Sequence, residues 1–146
     1  MQEFTPGDLV EIDTGHGLAY VLVTHDHASY PPVVRAVSGL HDAPPDDPAA
    51  LAGAAARFTV MIPLTGALRK LGLAHRVAAR VDVADTAFPT FRTPIRDKQG
   101  NIVYWWFWDG QGLTYDTEPG PDRDSLPLRE VTSAGHFLAM LTQDDG

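Results

Sequence analysis

The chain of 146 residues contains no cysteine. Disulfide bonds, cysteine nucleophiles and zinc sites built from thiolates are therefore excluded, and we expect a protein of the reducing cytoplasm. Long apolar runs are missing as well, since none approaches the roughly 18 residues that a membrane-spanning helix needs. Residues 1–10 show no basic stretch followed by an apolar run, so no signal peptide is predicted.

Basic residues are scarce. The chain has 11 Lys and Arg against 19 Asp and Glu, which gives a formal net charge of -8 at pH 7. Such a charge repels a phosphate backbone, so DNA and RNA are not expected as partners. A basic protein partner is favoured instead, because opposite charge speeds the encounter of two proteins. Acidic side chains also keep a protein soluble without binding anything, and composition leaves both roles open.

Alternating apolar residues and turn signals predict a mainly β fold. Strands are predicted at residues 9–12, 18–25, 33–37, 58–64, 75–83, 102–108 and 113–115. Asp47-Pro48 resembles a helix start, which predicts a short helix over residues 48–56. A helical turn is predicted at residues 65–71, ended by Gly72.

An amphipathic helix is predicted near the end of the chain. Its apolar face has the i, i+3, i+4, i+7 spacing and consists of Ala134, Phe137, Leu138 and Leu141. Thr132 or Ser133 is the expected cap. We predict an α+β fold, mainly β, built as a strongly bent antiparallel sheet or a small SH3-like barrel with this C-terminal amphipathic helix. Residues 1–146 are expected to form a single globular domain.

Two predicted strands carry further detail. Both faces of residues 18–25 are apolar, which indicates a central strand covered on both sides. In residues 75–83, apolar and polar residues alternate. The face expected to point inward consists of Val77, Ala79, Val81 and Val83.

The most distinctive run in the chain is Ile102–Trp108. Period two places Tyr104, Trp106 and Trp108 on one face of a strand and Val103, Trp105 and Phe107 on the other. Large aromatic residues on both faces can fill a core. Each buried indole N–H needs an acceptor, however, so the alternative is one partly exposed face that binds a ligand or a partner.

His25-Asp26-His27 is the cluster that most resembles a metal site. Imidazole and carboxylate groups suit zinc, and with Thr24 before it the triplet resembles the start of the metallo-β-lactamase motif. That motif continues with an Asp-His pair, whereas residues 28–30 are Ala, Ser and Tyr. We therefore expect a polar strand end, with no bound metal and no cofactor.

No catalytic residue is assigned from the sequence. None of the serines lies in a Gly-x-Ser-x-Gly elbow, and the glycines at 15 and 17 complete neither a dinucleotide fingerprint nor a phosphate loop. The carboxylates of Asp46 and Asp47 lie in a proline-rich loop, where solvation is expected. We predict that the protein is not an enzyme.

Several short motifs occur in a recognisable order. Pro-Gly-Asp-Leu-Val-Glu-Ile at 6–12 precedes Gly-Leu-Ala-Tyr-Val-Leu-Val at 17–23, and Phe-Pro-Thr-Phe-Arg at 88–92 precedes the tryptophan-rich strand and Leu-Pro-Leu-Arg-Glu at 126–130. Together they resemble the immunity protein 26 family of bacterial polymorphic-toxin and contact-dependent inhibition systems. The Gly-Asp opening is also similar to small SH3-like barrels, including toxins of the PemK type, and the proline-rich acidic loop at 41–48 lies outside the resemblance. The resemblance implies a protein that binds and neutralises a toxin, and it carries over no catalytic residue.

We expect a non-catalytic, antitoxin-like binding protein of the bacterial cytoplasm, whose partner is a basic protein and neither nucleic acid nor a membrane. The residues expected to bind this partner are Asp42, Asp46, Asp47, Asp116, Glu118, Asp122, Asp124, Trp106 and Trp108. The alternative is a small-ligand-binding domain or a hydrolase with its site at the barrel mouth, around His25, Asp26 and His27. A third hypothesis is a structural or oligomerisation domain.

Overall fold

The computed structural model describes residues 4–27, 30–37, 39–54, 56–117, 126–128 and 131–142. The chain divides into two compact units. Unit 1 comprises Met1–Thr86 with Val131–Gly146, and unit 2 comprises Ala87–Glu130. Whether the two units form the single domain expected for residues 1–146 stays a prediction, and each unit is described by itself.

Unit 1 is built on a five-stranded antiparallel sheet. Its strands are β1 (Asp8–Asp13), β2 (Leu18–His25), β3 (Val33–Ala36), β4 (Phe58–Met61) and β5 (His75–Arg80), in the order β4-β3-β2-β1-β5. All neighbours in this order run antiparallel. The sequence pattern located each of these strands to within a few residues.

The central strand β2 is covered on both faces, as its apolar pattern predicted. Ala19, Val21 and Val23 belong to a core that also contains residues of two helices. Tyr20 and Leu22 belong to a second core on the opposite face of the sheet. The side chains therefore alternate between two buried layers, as the period of a strand requires.

Helices cover the two faces differently. The core that contains Val21 is closed by helices α1 (Leu64–Leu71) and α2 (Ala134–Thr142), through Leu68, Phe137 and other residues. The opposite face is covered in part by the 3-10 helix Pro48–Gly53, which contributes Leu51 and Ala52. The sequence predicted a short helix over residues 48–56. The structure has a 3-10 helix there, which is more tightly wound and shorter than predicted.

The helix ends follow the sequence signals. Gly72 ends α1 in the left-handed region at φ 68°, where glycine carries no steric cost. Ser133 is the cap of α2, because its Oγ accepts the backbone N–H of His136 at 3.2 Å. Of the four residues predicted for the apolar face of α2, Phe137 and Leu141 are fully buried.

One detail of β5 was predicted wrongly. Its pairing with β1 shifts register between Leu9 and Val10, so that Leu9 pairs with Ala79 and Val10 with Val77. Val77 therefore packs against the core beneath the helices, whereas Ala79 packs on the opposite face. A bulge inserts one residue and reverses the alternation beyond it, so the residues expected to share one inward face are divided between two.

Unit 2 contains a three-stranded antiparallel sheet in the order β6-β7-β8. Its strands are β6 (Phe91–Arg96), β7 (Ile102–Trp108) and β8 (Leu113–Asp116). Tight turns connect them, with Gly100 and Gly110 at positive φ. The strands predicted at 102–108 and 113–115 are both confirmed, whereas β6 was not predicted.

The protein is mainly β, with two antiparallel sheets and few helices. Neither sheet closes on itself among the strands that the structure describes, so a bent sheet fits this structure and a closed barrel does not. None of the helices in the described ranges is long and apolar enough to cross a membrane.

Candidate functional site

The aromatic strand β7 changes from exposed to buried along its length. At its start Ile102 and Val103 are 41% and 46% exposed, and at its end Phe107 and Trp108 are 4% and 6% exposed. The three aromatic residues between them are half-buried. Because neighbouring residues point to opposite faces, burial follows position along the strand rather than the face. Neither predicted face is wholly core or wholly exposed.

Trp108 lies among buried aromatic residues of unit 2. Its ring centroid is 5.4 Å from that of Phe88 and 5.9 Å from that of Phe91. Phe91 is the residue of β6 that pairs with Trp108. Phe91 is completely buried. The prediction that Trp108 offers an exposed contact to a partner is therefore corrected, since its ring packs inside the unit.

Trp106 belongs to an aromatic cluster with Tyr104 and Tyr115. The three ring centroids are 5.7 to 6.0 Å apart and meet edge to face, which is a favoured geometry for aromatic pairs. Tyr115 is 66% exposed. We call these three residues the aromatic cluster.

Sequence reasoning missed Tyr115. Its position follows from the hairpin, because the register of β7 with β8 pairs Trp106 with Tyr115. Counting back from the turn at Asp109–Gly112 would have placed Tyr115 beside Trp106 on the same face.

The opposite face of the same sheet is different in character. The guanidinium of Arg92 lies 4.7 Å from the centroid of the Trp105 ring, within the range of a cation–π interaction. Asp116 pairs with Trp105 across the strands and is half-buried. Asp116 is therefore on the other face of the sheet from Tyr115.

The acidic loop, residues 41–48 with Asp42, Asp46 and Asp47, lies in unit 1. All three carboxylates are exposed. The loop is fixed at its start because His41 exchanges two backbone hydrogen bonds with Leu18, at 2.7 and 2.9 Å. At its end it leads into the 3-10 helix that packs on the core. The acids are thus held on an anchored segment.

Gly17 permits this anchoring. It has φ +141°, and a Cβ there would lie 3.0 Å from the Leu40 Cβ and 3.3 Å from the His41 carbonyl. The close approach of these backbones therefore depends on a residue without a side chain.

The structure does not describe all of the acidic residues that were predicted to bind the partner. Glu118, Asp122 and Asp124 lie outside the described residues. The predicted residues that are described fall into unit 1, which has the acidic loop, and unit 2, which has the aromatic cluster and Asp116.

His25-Asp26-His27 is divided by the end of β2. The Nε2 of His25 lies 2.9 Å from the Thr86 carbonyl oxygen and its Nδ1 2.9 Å from the Thr24 hydroxyl. A carbonyl oxygen only accepts, so Nε2 donates its proton there. A metal at His25 would have to break one of these hydrogen bonds.

Asp26 and His27 point to a different environment. They line an open cavity of about 360 Å³ together with Phe4, Thr5, Tyr30 and Pro32. The His27 ring meets the Tyr30 ring edge to face at 5.4 Å. Among the residues that the structure describes, no three His, Asp or Glu side chains are grouped to hold a metal ion. Whether the purified protein contains a metal stays a prediction.

The pKa shifts in unit 1 belong to a buried polar group on the sheet. The bidentate hydrogen bonds from the Arg76 guanidinium, each 3.0 Å long, lower the pKa of Glu11 against the opposing effect of burial, and the Tyr20 hydroxyl adds a bond of 2.7 Å. Burial and this bond raise the pKa of Tyr20 to about 12. Tyr20 belongs to the core on the face opposite α1 and α2, whereas Arg76 is half-exposed, so the group joins this core to the surface of the sheet.

In unit 2, Asp109 is held by the turn it begins. Backbone N–H groups of Gly112 and Gln111 donate to its carboxylate at 2.9 and 3.0 Å and lower its pKa. An ionised aspartate that accepts two amides fixes the conformation of the turn.

No family model, curated protein or solved structure matches this chain. The similarity to the immunity protein 26 family therefore stays a prediction. What the protein does has to be inferred from the chemistry of its surfaces.

Proposed function

We propose that this protein is a non-catalytic binding protein of the immunity or antitoxin kind, which neutralises a basic partner toxin by covering it. The observation that carries the proposal is the aromatic cluster, in which Tyr104 and Trp106 are half-buried and Tyr115 is exposed. Tyrosine and tryptophan are the residues that most often supply binding energy at protein interfaces. Rings fixed by mutual contacts also lose little side-chain entropy on binding.

Exposed apolar side chains are concentrated in the same unit. Five of the seven large apolar residues that are exposed in the described structure belong to unit 2, namely Ile102, Val103, Leu113, Tyr115 and Leu128. Of these, Leu113 and Tyr115 are neighbours on one face of β8, where Tyr115 belongs to the aromatic cluster, and an exposed apolar surface of this kind supports an interaction site. It supports recognition of another protein more than it supports a reaction on a small substrate.

Charge supports a basic partner. The chain carries a net charge of -8, and the acidic loop of unit 1 presents three exposed carboxylates on an anchored segment. Complementary charge raises the association rate, while aromatic anchors slow dissociation. This division of roles suits a neutralising protein, which has to reach a toxin quickly and release it slowly. The resemblance to immunity proteins adds the bacterial cytoplasm as the proposed place of action.

The proposal is tested by neutralisation. A partner captured from the native cell with the full chain is produced alone and together with the chain in a host cell. We expect the partner alone to stop growth and the chain to restore it. Replacing both Trp106 and Tyr115 with alanine should abolish the rescue, because an interface anchor is typically worth about 2 kcal/mol or more.

The matched control is Tyr30→Ala, which removes an aromatic ring from unit 1 and should leave the rescue intact. A captured partner that is harmless on its own would contradict the toxin assignment. Rescue by the double variant as efficient as by the wild type would exclude the aromatic cluster as the binding surface.

One observation favours the alternative of a small-ligand site. The cavity lined by Asp26, His27 and Tyr30 offers a carboxylate beside aromatic rings, a combination that suits a small aromatic amine. Benzylamine is a suitable probe. A rise in melting temperature that Asp26→Asn removes and Asp82→Asn keeps would support this alternative, and no rise at millimolar concentration would contradict it.

A further inference from the structure

The three-stranded sheet of unit 2 has two edges that differ. The edge formed by β6 is occupied, because Arg92 donates its backbone N–H to the Pro127 carbonyl and its Nε to the Leu126 carbonyl. Pro94 in the middle of β6 has no N–H to offer. The edge formed by β8 pairs with no strand or bridge among the described residues. An edge of this kind is a template for an added strand.

The backbone groups that face this edge can be identified. Asp109 donates its N–H to the Gly112 carbonyl at 3.4 Å across the turn. Bonded and non-bonded pairs alternate along antiparallel strands, so the next β8 residue bonded to β7 is Thr114, and Leu113 and Tyr115 lie in non-bonded pairs. The N–H and C=O groups of Leu113 and Tyr115 therefore point away from β7.

The side chains of the same two residues are exposed. Leu113 is 49% and Tyr115 66% exposed. Natural edges are usually protected by a lysine, a proline or an inward charge. The strand Leu113–Asp116 contains neither lysine nor proline, and its one charged residue is the half-buried Asp116 at its end. Among the described residues, no strand or bridge pairs with the outer backbone groups of β8, and its two apolar side chains are exposed.

The hairpin presents this edge in a fixed position. Gly110 has φ +93°, and a Cβ there would lie 2.9 Å from the Phe88 ring. The Asp109 carboxylate accepts two backbone N–H groups within the turn. A pre-formed edge lowers the entropy lost when another strand is added.

Charge selects among the possible occupants. Residues 109–117 contain Asp109 and Asp116 and no lysine or arginine. A second copy of the chain would bring a further net charge of -8 to this edge, which disfavours self-pairing. A basic extended segment is complementary to it.

We propose that the outer edge of β8 binds an extended basic segment of a partner protein as a fourth strand of the sheet, with apolar side chains beside Leu113 and Tyr115 and basic side chains on the face that carries Asp116. The inference deepens the proposed function, and it rests on that function only for the basic character of the partner. Backbone hydrogen bonds supply the affinity in this mode of recognition, and the alternating side chains supply the specificity.

The edge is tested with a defined probe, a synthetic peptide of about ten residues that alternates lysine and valine, roughly the length of a long strand. Amide resonances of the full isotope-labelled chain are followed by NMR. We expect the largest shifts at Leu113 and Tyr115. The same peptide with N-methyl groups on the residues that face the edge should bind about tenfold more weakly, because two backbone hydrogen bonds are lost.

A pair of variants makes the same test on the protein. Leu113→Pro removes an N–H that faces the open edge and leaves the bonds of Thr114 to β7 in place. The matched control, Leu113→Thr, loses the apolar side chain and keeps the N–H. Binding of the lysine–valine peptide should fall at least about tenfold further in the proline variant than in the threonine variant. If the proline variant does not fold, the comparison of the methylated and unmethylated peptides on the wild-type chain still tests strand addition.

Four results would overturn the proposal. Equal binding of the methylated peptide would exclude strand addition, and equal binding of a peptide that alternates glutamate and valine would exclude the charge preference. A dimer in sedimentation that Leu113→Pro dissociates would show that the occupant is a second copy. If Leu113→Pro neutralises a toxin as well as the wild type does, strand addition at β8 is excluded and the proposed function still stands. If the peptide binds at β8 but no toxic partner is found, strand addition is supported and the proposed function is contradicted.

Discussion

The Tyr20 hydroxyl donates a 2.7 Å hydrogen bond to the Glu11 carboxylate, between paired residues of β2 and β1. Tyr20 is completely buried and Glu11 is 9% exposed. On the other side of Glu11, the Arg76 guanidinium forms a bidentate ion pair at 3.0 Å, with its own side chain 54% exposed. A buried hydroxyl, a buried carboxylate and a half-exposed cation thus cross three neighbouring strands of the central sheet.

Substitution of Glu11 should show how far stability depends on this acceptor. Glu11→Ala leaves the buried Tyr20 hydroxyl without it, and we expect a loss of about 1–3 kcal/mol in the free energy of unfolding. Glu11→Gln keeps an oxygen that accepts the Tyr20 proton, so it should lose less. Chemical denaturation of the two variants is the measurement, and an alanine variant as stable as the glutamine variant would contradict the role of the acceptor.

We expect the protein to lose stability at alkaline pH, because the buried Tyr20 hydroxyl ionises there. Burial and the bond to Glu11 raise the pKa of Tyr20 from 10.0 to about 12, so folding favours the protonated phenol. Its contribution is complete below pH 10 and is lost as the pH rises towards about 12. The difference corresponds to roughly 3 kcal/mol. Unfolding free energies of the wild type and of Tyr20→Phe should therefore converge across this interval, and parallel pH profiles would refute the prediction.

Low pH should also reduce stability, in this case through protonation of the Glu11 carboxylate. The ion pair with Arg76 lowers the pKa of Glu11 below its ordinary value of 4.5, so folding favours the ionised carboxylate. Its contribution is present above pH 4.5 and is lost as the pH falls through the lower pKa of the folded state. Glu11→Gln should remove this part of the acid dependence, which a titration of melting temperature below pH 5 would detect. An unchanged acid profile would show that other carboxylates dominate.

Elements with a strong local signal could be predicted from the sequence. The apolar residues on both faces of Leu18–His25 predicted a central strand, and Gly72 marked the end of α1. The bulge opposite Leu9 and Val10 could not be predicted, because an inserted residue leaves no mark in composition. It alone divided the expected inward face of β5 between two cores.

The candidate site was predictable in part. Period two places Trp106 and Trp108 on the same face, yet Trp108 is buried among aromatic rings and Trp106 is half-exposed. This difference depends on tertiary packing at one end of the strand, which periodicity does not contain. The polar group of Glu11 was missed for a related reason, since Arg76 is 65 residues away in the chain.

Helix α2 should contribute a large part of the stability of unit 1. Phe137 is completely buried and its ring meets that of Phe58 edge to face at 6.2 Å. Phe137→Ala is expected to lose about 3–5 kcal/mol, while Leu138→Ala, at a half-buried position, should lose less. Removal of all residues after Val131 should unfold the unit, because total stability is typically only about 5–15 kcal/mol. A truncated chain that still melts cooperatively near the wild-type temperature would show that the helix is peripheral.

The acidic loop should control how fast a basic partner binds. Replacing Asp42, Asp46 and Asp47 together with asparagine should slow association and flatten its dependence on salt, because opposite charges attract over a distance of about 10 Å at 0.1 M salt. The melting temperature should stay unchanged, since exposed carboxylates contribute little to stability. Stopped-flow or surface-binding kinetics with the partner from native capture measure the effect.

A second triple variant separates the position of the charges from their number. Asparagine at Asp26, Asp82 and Asp85 removes the same three negative charges from positions of unit 1 outside the acidic loop, and all three side chains are exposed. If the loop faces the partner, the loop variant should slow association more than this control at every salt concentration. Equal slowing would mean that net charge alone steers the encounter. Association indifferent to salt and to both variants would exclude electrostatic steering and would leave recognition to apolar surfaces such as the aromatic cluster.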